Sequence, residues 1–308
     1  MNKDSLKIGV IGAGVFGGYH ASKCAAHPRH DFIGIFDPTH DRVRAMAKKY
    51  ETRAFDNCNM LLAGVDAVIV ACPAVHHGPI AIAALRAGRH VLVEKPVAAD
   101  LESATTMVRI AEEENLVLQV GHQERFVARA IGLDKTPERP MSIKAKRFGP
   151  KAVRGTDVSV TLDLMVHDLD MAMWLMDSRP DTIRGESIKV YSEHPDAARA
   201  CLMWNGVCKV ELEASRCEDK PERVMELEYP SGSVRVDFVN KTFKDTTGFG
   251  LNKEFARHVF SVDSLGAATD AFTASILDGE PVMVPGSAGR DALEMALKID
   301  GRLHSEIR

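Results

Sequence analysis

The chain of 308 residues has few cysteines, and their spacing carries no metal or redox pattern. Six cysteines are scattered along the chain, and no two of them form a Cys-x-x-Cys pair. This spacing argues against a zinc site and against a disulfide framework. We therefore expect reduced thiols, no bound metal and a cytoplasmic location.

The sequence also lacks a basic excess and a long apolar run. The formal net charge of −4 gives no reason to expect nucleic-acid binding. Residues 1–7 are polar, and the apolar stretch after them is short and interrupted by glycines. We therefore expect neither a signal peptide nor a membrane span. The length suits two domains with a sizeable core.

Short apolar segments alternate with helical patterns in the first 120 residues. Strands are predicted at 7–11, 32–36, 65–72, 91–93 and 116–120, and helices at 17–26, 41–49, 78–87 and 100–115. Strands that alternate with helices of this length predict right-handed crossovers and a doubly wound parallel sheet. The expected fold of residues 1–120 is therefore an α/β Rossmann domain.

A glycine motif lies between the first predicted strand and the first predicted helix. Its glycines are Gly12, Gly14 and Gly17, and it encloses Val15 and Phe16. The first glycine makes a tight turn, and the second lets a pyrophosphate approach the backbone. The third lets the helix pack closely on the strand. The pattern predicts a dinucleotide site, although a nucleotide-free doubly wound domain is the alternative.

An acidic residue ends the second predicted strand. Asp37 lies 20 residues after Gly17, at the position where a carboxylate accepts hydrogen bonds from the adenosine ribose. The same negative charge would repel the 2′-phosphate of NADP. We therefore expect NAD as the cofactor.

The apolar segment 91–93 is followed by Glu94, Lys95 and Pro96. Ligands of open parallel sheets bind at the carboxyl ends of the strands. Lys95 is therefore either an exposed charge at a strand end or a group that points into a binding cleft.

These features together resemble the glucose–fructose oxidoreductase and inositol dehydrogenase family (Gfo/Idh/MocA). The resemblance implies that Lys95 lies beside the nicotinamide and the reacting carbinol, and that Pro96 shapes the turn through a cis bond. Directly after Pro73 this chain has Ala74, whereas the family often has asparagine at that position. Beyond the glycine motif and Asp37, the cofactor-binding residues implied by the resemblance are Cys72, Pro73, His77, Glu94, Lys95 and Pro96.

The second half of the chain has a different pattern. Strands are predicted at 143–148, 188–192, 198–204, 207–214, 224–229 and 233–239, several of them joined by tight turns. Such strands predict a mostly antiparallel open sheet in an α+β domain over residues 121–308. Helices at 264–277 and 287–303 are expected to brace the two domains. Each strand must cover one face, so that face either packs on these helices or forms a subunit interface. The family resemblance implies a homodimer or homotetramer.

One helix, predicted over 160–176, carries the second set of candidate catalytic residues. Asp163 and His167 are four residues apart and so share a helix face. In isolation, the pair is typical of an ordinary helix acid and an ordinary histidine. Beside a dehydrogenase cofactor domain, the position resembles the catalytic Asp and His of the family.

The chemistry of alcohol oxidation explains these residue types. The hydroxyl proton needs a base that works near neutral pH, which a histidine provides, so His167 is the expected general acid/base. Lys95 would stabilise negative charge on the carbinol oxygen, and Asp163 would support His167 or orient the substrate. The sequence leaves open that Lys95 and His167 exchange roles.

The stretches 121–126, 147–150 and 154–168 resemble one branch of the family, the UDP-N-acetylglucosamine 3-dehydrogenases. The resemblance implies oxidation at carbon 3 of that sugar nucleotide, ahead of a transamination on the way to lipid A. A diphosphate needs cationic donors, and Arg125 and Arg154 are the expected substrate contacts beside Lys95, Asp163 and His167. Two alternatives remain, namely another sugar, inositol or nucleotide sugar as substrate, or a non-catalytic NAD-binding sensor.

Overall fold

The computed structural model describes residues 4–151 and 156–303. The chain forms two compact units, the first from residues 1–123 with 265–290, and the second from 124–264 with 291–308. The predicted division of function at residue 120 stays a prediction. No helix in the described ranges is long and apolar enough to cross a membrane.

The first unit contains a six-stranded parallel sheet, which confirms the predicted fold class. Its strands are β1 (Leu6–Ile11), β2 (His30–Phe36), β3 (Arg53–Phe55), β4 (Ala67–Val70), β5 (His90–Val93) and β6 (Leu118–Val120). They lie in the order β3-β2-β1-β4-β5-β6, and every pair is parallel. The strand order therefore reverses at β1, and the carboxyl ends of β1, β4 and β5 lie on the same edge.

Five helices connect these strands. They are α1 (Val15–Ala26), α2 (His40–Lys49), α3 (Cys58–Ala63), α4 (His77–Arg86) and α5 (Leu101–Glu113). Local capping explains where α5 begins, because Asp100 accepts a 2.7 Å hydrogen bond from the backbone N–H of Ser103. The short elements β3 and α3 were not predicted from the sequence.

The second unit contains a seven-stranded sheet that is antiparallel except for one central pair. Its strands are β7 (Ser142–Phe148), β8 (Thr182–Ile188), β9 (Ala197–Trp204), β10 (Cys208–Ser215), β11 (Glu222–Tyr229), β12 (Gly232–Asp237) and β13 (Thr242–Asp245). The order is β13-β12-β11-β7-β10-β9-β8, with β7 and β10 parallel. Asn205 and Gly206 both have positive φ at the β9–β10 turn, as a tight hairpin requires.

The remaining helices are α6 (Glu124–Ile131), α7 (Val166–Met176), α8 (Val259–Val262), α9 (Ser264–Leu277) and α10 (Gly286–Ile299). A π-helical turn, Thr161–Met165, directly precedes α7. The sequence had predicted one continuous helix over 160–176. In the first unit, Phe272 of α9 packs into the core that β1 and β2 share with α1.

One predicted strand is wrong. The sequence pattern placed a strand at 188–192, whereas β8 ends at Ile188. The Oδ2 atom of Asp196 accepts hydrogen bonds from the backbone N–H groups of Val190, Tyr191 and Ser192. Because these backbone N–H groups already donate to a buried carboxylate, they cannot form hydrogen bonds with a neighbouring strand.

Candidate active site

The glycine motif forms a turn between β1 and α1 that matches its predicted use. Gly12 has a φ of 109°, and a Cβ there would lie 2.6 Å from the carbonyl oxygen of Ala71. A Cβ on Gly17 would lie 1.9 Å from the carbonyl oxygen of Gly12. A Cβ on Gly14, in contrast, would meet nothing within 4 Å. The loop is therefore closely packed at its first and third glycines and open at its second, as a pyrophosphate site requires.

Asp37 lies under this loop and is buried. Its Oδ2 accepts a 2.7 Å hydrogen bond from the backbone N–H of Ala13, and its Oδ1 accepts one from Thr39. Asp37 therefore connects the end of β2 to the glycine motif. A carboxylate has about four acceptor positions, so these two bonds leave capacity for ribose hydroxyls. Val15 and Phe16 are about half exposed at the start of α1.

A buried hydrogen bond between Glu94 and His20 lies beside the strand end that carries Lys95. Glu94 Oε1 lies 2.7 Å from Nε2 of His20 on α1, and Glu94 Oε2 accepts a 3.3 Å bond from the backbone N–H of Lys95. Burial raises the pKa of Glu94, but the hydrogen bond and charge of His20 outweigh it, and the pKa lies below its ordinary value. Lys95 is partly buried, and the Lys95–Pro96 peptide is cis, as the resemblance implied.

His77 joins the ends of two strands. Its Nδ1 lies 2.7 Å from the carbonyl oxygen of Pro96, and its Nε2 lies 2.9 Å from that of Cys72. The imidazole therefore bridges the carbonyl groups that follow β4 and β5. Burial raises the pKa of the Cys72 thiol to about 12. Cys72 is therefore a neutral group at this edge.

The second unit places His167 in a network of buried charges. Its Nδ1 lies 2.6 Å from Oε2 of Glu124, the first residue of α6. The other oxygen of Glu124 accepts a 2.8 Å hydrogen bond from Nη1 of Arg147 on β7. Arg147 in turn donates two 2.9 Å bonds to the carboxylate of Asp168. Helix α6, strand β7 and helix α7 are thus connected through charged side chains.

The ionisation of Glu124 follows from these contacts. Burial raises the pKa of Glu124, but the charges of His167 and Arg147, and their hydrogen bonds, hold it well below its ordinary value. Glu124 is therefore a carboxylate at neutral pH, which accepts a hydrogen bond from Arg147 and lies in close contact with the ring of His167.

Asp163 lies within the π-helical turn that precedes α7 and is partly buried. Single π-turns of this kind occur often at functional sites. The sequence paired Asp163 with His167 through helical spacing. Glu124 was missed, because it comes from a different helix and no local spacing links it to His167.

The arginines predicted to contact the substrate have different positions. Arg125 is buried, and its Nε and Nη2 atoms donate to the two carboxylate oxygens of Asp170 at 2.8 and 2.6 Å. Its environment is that of a structural ion pair, and the predicted substrate contact stays untested. Arg154 lies outside the described residues. Among the residues that are described, no group of three or more His, Cys, Asp or Glu side chains could hold a metal ion.

Comparisons with known proteins support a Rossmann unit that binds NAD in the first part of the chain. Residues 6–122 match the model of an oxidoreductase family with an NAD-binding Rossmann fold. The chain is 32% identical to a UDP-N-acetylglucosamine 3-dehydrogenase from Acidithiobacillus ferrooxidans over 96% of both chains. A solved structure of that enzyme covers 99% of each chain with a TM-score of 0.88 and 31% identity.

Two further proteins resemble the chain over a shorter length or at a lower sequence identity. An inositol 2-dehydrogenase from Corynebacterium glutamicum is 30% identical over 57% of this chain and 55% of its own length. A scyllo-inositol dehydrogenase from Lactobacillus casei, solved with NAD(H) and scyllo-inositol, has a TM-score of 0.78 at 20% identity, with 97% of each chain covered. At that identity, the second comparison shows the shared fold alone.

Proposed function

Because the chain belongs to the glucose–fructose oxidoreductase and inositol dehydrogenase family (Gfo/Idh/MocA), we propose that it oxidises carbon 3 of UDP-N-acetylglucosamine with NAD. The observation that carries this proposal is the similarity to such an enzyme over 96% of both chains. That similarity includes the second unit, whereas the inositol 2-dehydrogenase match covers 57% of the chain. Substrate choice within one fold depends on such site-bearing segments rather than on the fold itself.

The glycine loop and the strand ends supply the cofactor site in this proposal. Gly14 leaves the backbone open to a pyrophosphate, and Asp37 retains acceptor capacity for the adenosine ribose. Residues 1–120 would accordingly bind the cofactor, and residues 121–308 the substrate. The proposed cofactor contacts of Cys72, Pro73 and His77 lie at the end of β4 and the start of α4.

When bound, NAD supplies the acceptor for the hydride that leaves the sugar carbon. His167 takes the proton of the sugar hydroxyl and returns it in the reverse reaction. The Lys95 ammonium donates a hydrogen bond to the carbinol oxygen and stabilises the negative charge that develops there. Asp163 orients the sugar beside these two groups.

The diphosphate of the substrate needs cationic donors with fixed geometry. We retain Arg125 and Arg154 as proposed contacts, but Arg125 already shares two hydrogen bonds with Asp170. Arg125 could therefore contribute through its remaining N–H groups only.

A substrate panel tests the proposal. Purified protein and NAD would be mixed with UDP-N-acetylglucosamine, UDP-glucose, glucose or myo-inositol, and NADH formation would be followed by absorbance. Because oxidation at carbon 3 is unfavourable, a reagent that traps ketones should be present. Turnover confined to UDP-N-acetylglucosamine is the expected result. Turnover of a free sugar or inositol would contradict UDP-N-acetylglucosamine as the substrate. Tight NADH binding without any turnover would favour a non-catalytic NAD-binding sensor.

The product of this reaction would be a 3-keto sugar nucleotide. An aminotransferase could convert that ketone to an amine, as the synthesis of a diamino-sugar lipid A requires. We propose a cytoplasmic location on the basis of the six cysteines, which are all free thiols.

We also propose that the protein is a homodimer or homotetramer that associates through the second sheet. The sheet face opposite the core bears exposed side chains of both signs, including Lys144, Glu211, Glu226 and Arg235. A twofold interface brings each such patch against its own copy, where opposite charges can pair. Sedimentation of the native protein and of Glu211→Lys would test this, and a monomer in both cases would contradict it.

A further inference from the structure

The carboxylate of Glu124 lies in direct contact with the imidazole ring of His167. Glu124 is the first residue of α6, whereas His167 belongs to α7, and both side chains are largely buried. The carboxylate Oε2 lies 2.6 Å from Nδ1 of the imidazole. At this distance the two atoms would repel each other if both were acceptors.

The ionised state of Glu124 determines which partner donates. A carboxylate has no hydrogen to donate, so the close contact is attractive only if Nδ1 of His167 carries the hydrogen. A neutral imidazole has one N–H. When Nδ1 is protonated, Nε2 is the ring nitrogen that can accept a proton.

Arg147 fixes the orientation of the Glu124 carboxylate. Its Nη1 binds Oε1 of Glu124, while its Nε and Nη2 are held by the two oxygens of Asp168. The guanidinium is planar and rigid, so it holds the carboxylate in one rotamer. Oε1 is thereby held by Arg147, and Oε2 is the oxygen that lies near Nδ1.

The charged side chains around His167 carry a net negative charge. Glu124 and Asp168 contribute two negative charges and Arg147 one positive charge, so the group has a net charge of −1 when His167 is neutral. A proton on His167 cancels this excess. In a buried site such compensation has a larger effect than in water.

We propose that Glu124 is a positioning residue that holds His167 in the Nδ1-protonated tautomer, so that Nε2 exchanges the proton with the sugar hydroxyl. This inference rests on the proposed sugar oxidation. It transfers to Glu124 the orienting role that helical spacing gave to Asp163. Asp163 remains a proposed substrate-orienting residue.

The most informative variant is Glu124→Gln. Arg147 donates to position Oε1, so the glutamine oxygen should face Arg147 and its NH2 group should face His167. The imidazole would then have to accept at Nδ1 and carry its hydrogen on Nε2. This is the wrong tautomer for a base that acts through Nε2, and we expect kcat to fall about 10²–10⁴-fold.

Binding should change much less than turnover in this variant. We expect the KM for the sugar and the affinity for NADH to stay nearly unchanged, because Glu124 acts through His167. The acidic limb of the pH–rate profile should move to lower pH, because the imidazolium loses the carboxylate that stabilises it. Glu294→Gln is the matched control, since Glu294 also pairs with an arginine, Arg179, in the second unit. It should keep the native kcat and pH profile.

A measurement on the native protein separates this inference from the choice of substrate. Nitrogen NMR of the imidazoles, with His167 assigned through His167→Gln, reports which ring nitrogen is protonated in the neutral state. We expect Nδ1 to be protonated, whichever sugar is turned over and whether or not Glu124→Gln folds. A neutral His167 protonated at Nε2 would overturn the proposal. So would a folded Glu124→Gln variant with native kcat and pH profile. Failure of the substrate panel alone would instead count against the proposed substrate.

Discussion

Nε2 of His20 lies 2.7 Å from Oε1 of Glu94, and both side chains are buried in the first unit. His20 belongs to α1, directly after the glycine motif, and Glu94 directly precedes Lys95. The pair thus connects the helix that follows the glycine loop with the strand end that carries the candidate catalytic lysine. It uses two residues that the sequence did not pair.

Replacing Glu94 with glutamine should lower the free energy of unfolding by about 1–3 kcal/mol at neutral pH, because the amide has one acceptor oxygen in place of two, so that either His20 or the Lys95 N–H loses its partner. The folded-state pKa of Glu94 lies below its ordinary value of 4.5. The ionised form therefore stabilises the fold above that pH, and the stabilisation is lost as the pH falls through the folded-state pKa. Urea unfolding of the native protein and of Glu94→Gln, at pH values above and below 4.5, would test this dependence. The exposed Glu112→Gln should show no such difference.

Asp37 should contribute both charge and a hydrogen bond to cofactor binding. Asp37→Asn keeps an acceptor for the Ala13 N–H but removes the negative charge. It should raise NADPH affinity relative to NADH, whereas Asp37→Ala should weaken both, because the glycine loop loses its support. Fluorescence titration with each cofactor distinguishes these outcomes. Equal binding of NADH and NADPH by the native protein would contradict the role of Asp37.

Gly14 and Gly17 should respond differently to the same added methyl group. At Gly17, Cβ would lie 1.9 Å from a backbone oxygen, so Gly17→Ala should destabilise the first unit strongly. At Gly14, the methyl would meet no protein atom, and the change at this helix N-cap should cost about 1 kcal/mol or less. Gly14→Ala should nevertheless reduce NADH affinity, because the methyl would enter the open space proposed for the pyrophosphate. Thermal unfolding of both variants would measure the loss of stability, and NADH titration would measure the loss of affinity. A native NADH affinity in Gly14→Ala would exclude the glycine motif from cofactor binding.

The first unit was largely predictable because its determinants are local. The glycine motif, Asp37 and the segment 94–96 each occur at the end of an apolar strand, and the structure places them at one edge of the sheet. The missed strand β3 has only three residues, and a pattern that short gives no periodic signal.

The site of the second unit depends on contacts that sequence spacing does not contain. His167 meets Glu124 because α6 and α7 pack together, and Arg147 on β7 binds Glu124 and Asp168. Helical spacing instead suggested Asp163, which lies four residues before His167 on the same predicted helix. The wrong strand at 188–192 has a similar origin, because the buried Asp196 that prevents strand pairing lies beyond that pattern.

Lys95→Ala should reduce kcat by about 10²–10³-fold, the usual effect of losing a donor to a developing oxyanion. NADH affinity should stay nearly native, because the loop from Gly12 to Gly17 is unaffected. Steady-state kinetics with the substrate found in the panel would measure the first effect, and NADH titration the second. Exposed Lys48→Ala is the control and should behave as the native protein. A loss in Lys95→Ala below tenfold, roughly 1.4 kcal/mol, would exclude this lysine from the chemistry.

Arg125 and Asp170 form a buried pair whose structural and substrate roles can be separated. Arg125→Met alone should lower the free energy of unfolding by about 3–5 kcal/mol, because it leaves the Asp170 carboxylate buried without its partner. Adding Asp170→Leu removes that charge and should restore much of the stability. The folded double variant then tests substrate binding. If Arg125 contacts the diphosphate, the KM for the UDP-sugar should rise with little change in NADH affinity. A native KM would make Arg125 a structural residue only.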